Sequence, residues 1–246
     1  MKDYYSELLT EIEFSEQFDN LEFKSELGEN ISVCYNVRLA ESLSREMAKL
    51  LGYNEEIAAV LALCKGIVFP PYGKAGMRYI ESKMKREGIY LSPEKICLKY
   101  LEDLLKSSSL KITEELRDGV IEVFSEESNE SEARIVKVIY DILRDIEALQ
   151  NSGDYITDET DEQTPEDMTK DILYDAISES KAKGRISYSK KLKNMILAVN
   201  IKDEEQEELE ECAKAVIDDL WNEYRKKGFS GDDIAMNVIF ERERQI

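Results

Sequence analysis

Apolar residues return every three to four positions along most of the chain. Ala40, Leu43, Met47, Leu50 and Leu51 share one face of a helix predicted over 39–51 and stopped at Gly52. Asn54 stands where it caps a second helix, with Ile57, Val60, Leu61 and Leu63 on its apolar side. The run Phe69-Pro70-Pro71-Tyr72-Gly73 predicts a turn, because paired prolines cannot continue a helix. Ser92 followed by Pro93 opens another helix, whose inward residues are Ile96, Cys97, Tyr100, Leu101, Leu104 and Leu105. Thr113 caps a short one through Leu116, Val120 and Val123. A long helix over 131–150 turns Ile135, Val138, Ile139, Ile142, Leu143, Ile146 and Leu149 inward. Further helices are predicted near 166–182, 187–200, 204–227 and 231–242. No strand alternation or internal repeat interrupts this pattern, and it predicts an all-α fold.

One break in composition divides the chain. Between Asp154 and Asp167 there are seven acids and no base, with Gly153 before them. Thr164, Pro165, Glu166 and Asp167 then form a strong helix start. The expected organisation is a helical core over 1–150, an acidic loop or linker over 151–164, and a carboxy-terminal helical region over 165–246 packed on the core. An acidic protein-docking segment is the alternative for the linker. The acids of Asp203-Glu204-Glu205-Gln206-Glu207-Glu208 complement a helix dipole and need no further role. Trp221, with Ile217, Leu220 and Tyr224, is expected to pack between the last helices.

Charge and chemistry narrow the picture. The 246 residues hold 33 Lys and Arg against 53 Asp and Glu, a net charge of −20, and no histidine. Histidine-based nucleophile pairs and His-ligated zinc, copper or haem are excluded. The charge argues against nucleic acid and anionic membranes as partners. Cys34, Cys64, Cys97 and Cys212 are widely spaced, so buried thiols are expected rather than a disulfide framework. With no apolar leader at the amino terminus and no apolar run of membrane-spanning length, a cytoplasmic location is expected.

Four segments change the argument: Arg38-Leu39-Ala40-Glu41-Ser42, Leu51-Gly52-Tyr53-Asn54-Glu55-Glu56, Ala62-Leu63-Cys64-Lys65-Gly66-Ile67, and Pro70-Pro71-Tyr72-Gly73-Lys74-Ala75-Gly76. This block resembles the HD-domain phosphohydrolases of the deoxyguanosine-triphosphate triphosphohydrolase type. That family reads Arg-Leu-Thr-His-Ser, Leu-Gly-Leu-Asn-Glu-Asp, Ala-Leu-Ala-His-Asp-Ile-Gly-His and Pro-Pro-Phe-Gly-His-Ala-Gly-Glu. The two run in register from Arg38 to Gly76. Weaker echoes follow in Leu110–Gly119 and Glu132–Val136, so the resemblance covers about 36–150.

The resemblance implies an HD-like helical bundle and a metal site, but the chemical positions have changed. Glu41 stands for the family's first ligand histidine, Lys65 and Gly66 for its His-Asp pair, and Tyr140, beside Asp141, for the last aspartate. Phe69 and Lys74 replace further histidines, and Met77 replaces the acid after Ala-Gly. An ammonium repels a cation, so neither a divalent metal nor another cofactor is expected. The leading expectation is a catalytically inactive pseudoenzyme with a binding or regulatory role, in which Lys65 pairs with Glu41. A second is a metal-independent nucleotide-binding regulator holding phosphate with Arg38, Lys65, Lys74 and Tyr72. A third is a subunit of a homo- or hetero-oligomer. Ranked last is an active nucleotide phosphohydrolase with an altered metal site. Cys64 is expected to be a packed helix residue.

Overall fold

The computed structural model describes residues 4–13, 33–68, 73–125, 129–151, 165–189 and 203–240. They form ten α-helices and no strand: α1 (Tyr4–Glu13), α2 (Val33–Leu51), α3 (Glu55–Ile67), α4 (Gly73–Arg86), α5 (Pro93–Leu104), α6 (Glu114–Phe124), α7 (Glu132–Asn151), α8 (Pro165–Lys183), α9 (Asp203–Lys226) and α10 (Asp232–Phe240). The predicted all-α class is the observed one. Among the described residues no helix is long and apolar enough to cross a membrane.

Local signals act where the sequence places them. Gly52, at φ 82°, ends α2: its N–H donates to the Lys49 carbonyl and that of Tyr53 to Ala48. Asn54 Oδ1 accepts from the N–H groups of Glu56 and Ile57 at 3.0 and 3.1 Å, and Thr113 Oγ1 accepts from Leu116 at 3.1 Å. The backbone N–H of Asn54 donates to Glu132 Oε1 at 2.9 Å, tying the start of α3 to the start of α7. Ser92 precedes α5 in extended conformation but makes no side-chain cap; its hydroxyl donates to Glu94 instead.

The centre of the molecule is α3. Nine of its thirteen residues are buried, including every one from Ala58 to Cys64. It packs against α1, α2, α6 and α7, and more lightly against α5. One apolar cluster joins α1, α3, α5 and α6 to α4, α9 and α10. A second joins Leu43 and Met47 of α2, Ile135, Val138, Ile139 and Ile142 of α7, and Ala176 and Ile177 of α8. The helices after 165 thus complete apolar clusters begun by the earlier ones. Trp221 is fully buried, as its neighbours in sequence predicted.

Several boundaries differ from expectation. Helix α2 starts at Val33 rather than 39. Ser187, Tyr188 and Ser189, the first residues of the predicted helix over 187–200, are not helical; the rest of that helix lies outside the described residues. Backbone bonds to side chains hold this stretch open: Ser187 N–H donates to Ser180 Oγ and Ser189 N–H to Asp175 Oδ2, both at 2.9 Å. Two helices come in addition to those predicted. Helix α1 seats Tyr5, Leu8, Leu9 and Ile12 in the core, with the Tyr5 hydroxyl donating to Glu115 Oε2 at 2.7 Å. Helix α4 follows the Pro70-Pro71 pair in sequence and carries Ile80 and Met84 inward. The predicted turn and the acidic stretch over 152–164, with its Thr164 cap, lie outside the described residues.

Candidate functional site

The described positions singled out by the sequence sit on α2, α3, α4 and α7. Of them, Tyr140 of α7 reaches Gly66, in the last turn of α3. A Cβ at Gly66 would lie 2.5 Å from both Cγ atoms of Val37 and 2.7 Å from the Tyr140 hydroxyl. A side chain there would have to displace the Val37 side chain and the Tyr140 hydroxyl. The space is filled from both sides. Val37 of α2 is buried, and the Tyr140 hydroxyl of α7 donates to the Ala62 carbonyl at 2.8 Å. Burial, and secondarily the nearby Cys64 thiol, push the Tyr140 phenol well above its ordinary pKa. It stays a neutral hydrogen-bond donor at physiological pH.

Lys65, one residue earlier, turns the other way. Its ammonium donates to the Val123 carbonyl at 3.2 Å, over the last turn of α6. It also lies 5.0 Å from the ring centre of Phe124 and 5.7 Å from that of Tyr140. Lys137, one turn before Tyr140 on α7, donates to the Ser125 carbonyl at 2.5 Å. Two ammonium groups thus satisfy carbonyls that α6 leaves open at its carboxy-terminal end, where the helix dipole favours cations.

The expected Lys65–Glu41 ion pair is not among those the described residues form. Glu41 Oε1 accepts instead from Arg45, at 3.0 Å from Nε and 2.7 Å from Nη2, one helical turn along α2. The Glu41 side chain is only 12% exposed. A local partner at i+4 costs less chain ordering than one across a helix interface, and it wins. Arg38 is exposed on the same helix, and Asp141 is partly buried beside Tyr140. Met77 packs partly buried against the apolar core, where it offers no acid. Phe69 and Tyr72 lie outside the described residues, and for Lys74 only its place in the first turn of α4 is described.

Cys64 is a packed helix residue, fully buried like Cys97. Contact with the Cys64 thiol, together with burial, raises the Cys97 pKa well above the ordinary thiol value. Such a thiol is a poor nucleophile. Among the described residues, no group of three His, Cys, Asp or Glu side chains is arranged to hold a metal ion.

Three residues that shape this place were not among the candidates: Val37, Lys137 and Arg45. Arg45 and Val37 each stand four positions from Glu41, a spacing visible in the sequence. Lys137 stands three from Tyr140, on the same side of α7. Chemically, the arrangement closes a gap between three helices and caps a fourth. Its donors are already directed at backbone carbonyls. No protein-family model matches the chain, and no curated protein matches it.

Proposed function

We propose that the chain is a catalytically inactive relative of the HD-domain phosphohydrolases, keeping the helical scaffold for a binding or regulatory role. The observation that carries this reading is the occupancy of position 66. In the resembled family an aspartate there helps hold the metal. Here a side chain at the same backbone position would collide with Val37 and the Tyr140 hydroxyl, which fill its space. Tyr140 itself stands where the family's last aspartate falls in the sequence. Two ligand positions are thus replaced by a contact between them, and a third, Lys65, carries a charge that repels a cation.

Glu41 and Asp141 would be the remaining oxygen donors. Glu41 is engaged by Arg45, so proton transfer from it would compete with a two-point contact to a guanidinium. A filled position 66, a cation at 65 and an engaged Glu41 disfavour metal-assisted phosphoryl chemistry and favour a scaffold role.

The test is a hydrolysis assay. The full chain, purified with Mg²⁺ or Mn²⁺ and each deoxynucleoside triphosphate, is expected to release neither triphosphate nor phosphate at enzymatic rates. Turnover that disappears in Glu41→Ala, with the variant still folded by circular dichroism, would overturn the proposal. Calorimetry with dGTP and with GTP, on the wild type and Lys65→Met, separates a nucleotide-binding role from the others. Heat that vanishes with Lys65 would assign the ammonium to a phosphate rather than to the end of α6.

A further inference from the structure

The molecule carries a net charge of −20, yet the lining of one surface cleft holds more cations than acids. It lies along α5 and the single 3₁₀ turn Leu105–Ser107 that follows, with one residue from α6. Its volume is about 490 Å³, and its charged lining is Lys95, Lys99, Lys106 and Arg117 against Glu102 and Asp103. Leu91 and Leu98, nearly buried, give it an apolar floor.

The shape of the cleft follows from helix periodicity. Positions 95, 99, 102 and 106 are separated by four, three and four residues, so they form one stripe along the axis. From Lys95 to Lys106 that stripe is about 17 Å long at roughly 1.5 Å per residue. A stripe this long matches about five residues of extended chain at roughly 3.3 Å each. A single compact anion would touch only one end of it.

Three of the four cations are held in place by neighbouring acids. Lys99 pairs with Asp233 of α10 at 3.0 Å, Lys106 with Asp103, and Arg117 with Glu102 at 3.7 Å. These pairs are solvent-exposed and individually weak, so an incoming carboxylate can share their cations. Lys95 makes no ion pair with any described residue. It stands at the end of the stripe nearest Leu91.

We infer that this cleft is a docking surface for a short acidic segment of a protein partner. Screening decides the kind of partner. At physiological ionic strength charges are felt over about 8 Å. A segment of a few residues inside the cleft therefore meets its cations, while the acidic remainder of the surface is largely screened. A long polyanion such as duplex DNA would extend past the cleft on both sides and be repelled there. The apolar floor adds burial for one or two side chains between the acids. This inference does not depend on the phosphohydrolase resemblance, because none of the cleft residues belongs to the region around Gly66.

The experiment follows the anisotropy of a fluorescein-labelled octaglutamate peptide titrated with the full chain. Saturable binding that weakens with added salt is expected. Lys95→Glu combined with Lys106→Glu is expected to weaken it by about tenfold or more. The pair Lys49→Glu and Lys181→Glu changes the net charge equally at exposed sites elsewhere and is expected to leave it within about twofold. No saturable binding at millimolar protein, or equal weakening by both pairs, would overturn the inference. So would equal affinity for inorganic triphosphate or for a DNA duplex. Circular dichroism of each variant separates loss of binding from loss of folding.

Discussion

Where α2 and α7 both meet the last turn of α3, a valine from one and a phenol from the other close on a glycine. Where α9 meets α4, they touch through charges arranged around an indole. In the second contact Asp218 accepts from the Tyr79 hydroxyl at 2.9 Å and from the Lys83 ammonium. Lys83 also lies 5.5 Å over the Trp221 ring. Trp221 Nε1 and Arg225 Nη2 both donate to Glu87 Oε2, at 3.2 and 2.7 Å. The first contact depends on shape and is indifferent to salt and pH. The second combines one large buried side chain with partly exposed ion pairs, and its polar half depends on both. Two ways of joining helices in one molecule therefore respond to different perturbations.

The sharpest way to break the first contact is Gly66→Asp. It forces atoms into Val37 and Tyr140 and buries a carboxylate without a partner. The expected loss is more than about 4 kcal/mol, read by urea denaturation. Gly66→Ala isolates the steric part, at about 1–3 kcal/mol, and Val37→Ala in the same chain is expected to recover some of it. A loss below about 0.5 kcal/mol in Gly66→Ala would show that α2 and α7 yield easily there.

Trp221→Ala strikes the second contact next, at about 3–5 kcal/mol, because the side chain is wholly buried. Trp221 is the only tryptophan, so its fluorescence in the wild type reports the docking of α9 without a label. Tyr140→Phe removes one hydrogen bond from the first contact and leaves the Ala62 carbonyl unpaired by it. About 1 kcal/mol is expected.

Asp218→Asn is expected to have the smallest effect, under about 1 kcal/mol at neutral pH, since the Asp218 side chain is 42% exposed. Its value lies in the pH dependence. Burial alone would raise the Asp218 pKa, but the bonds from Lys83 and Tyr79 outweigh it and hold the carboxyl below 3.8. Glu87 is likewise held below 4.5, by Arg225 and Trp221 against the effect of burial. A carboxyl lowered in the folded state contributes stability above its unfolded pKa and loses it as pH falls through the lowered folded value. The α4–α9 contact is therefore expected to weaken on acidification below about pH 4, with Asp218→Asn flattening that slope. Fluorescence-detected urea melts at descending pH check this. The same melts on Tyr140→Phe are expected to keep the wild-type slope.

Much of the fold was legible from single residues. Asn54 and Thr113 cap because their side chains act within three residues, and Gly52 ends α2 for an equally local reason. The apolar face of α7 was legible over Ile135, Val138, Ile139 and Ile142, all buried. Helix α1 also places Tyr5, Leu8, Leu9 and Ile12 at helical spacing, yet the segment is short and interrupted by acids, so the pattern is weak in isolation. Helix α4 opens on Gly73 and Gly76 straight after two prolines, which disguises its start. The destination of Lys65 was not legible. It depends on the end of α6, 58 residues away in sequence, arriving beside the last turn of α3. The Glu41–Arg45 pair, by contrast, is local: its i,i+4 spacing stands in the sequence itself.

The packing around Gly66 also constrains the order in which this sequence can change. A carboxylate introduced at 66 while Val37 and Tyr140 keep their size must displace both side chains and is expected to cost much of the fold's stability. Smaller residues at 37 and 140 would relieve that clash, but each on its own leaves a void with no compensating gain. Any route that rebuilds an acid at this point therefore descends into less stable sequences before it can rise, whichever activity lies at its end.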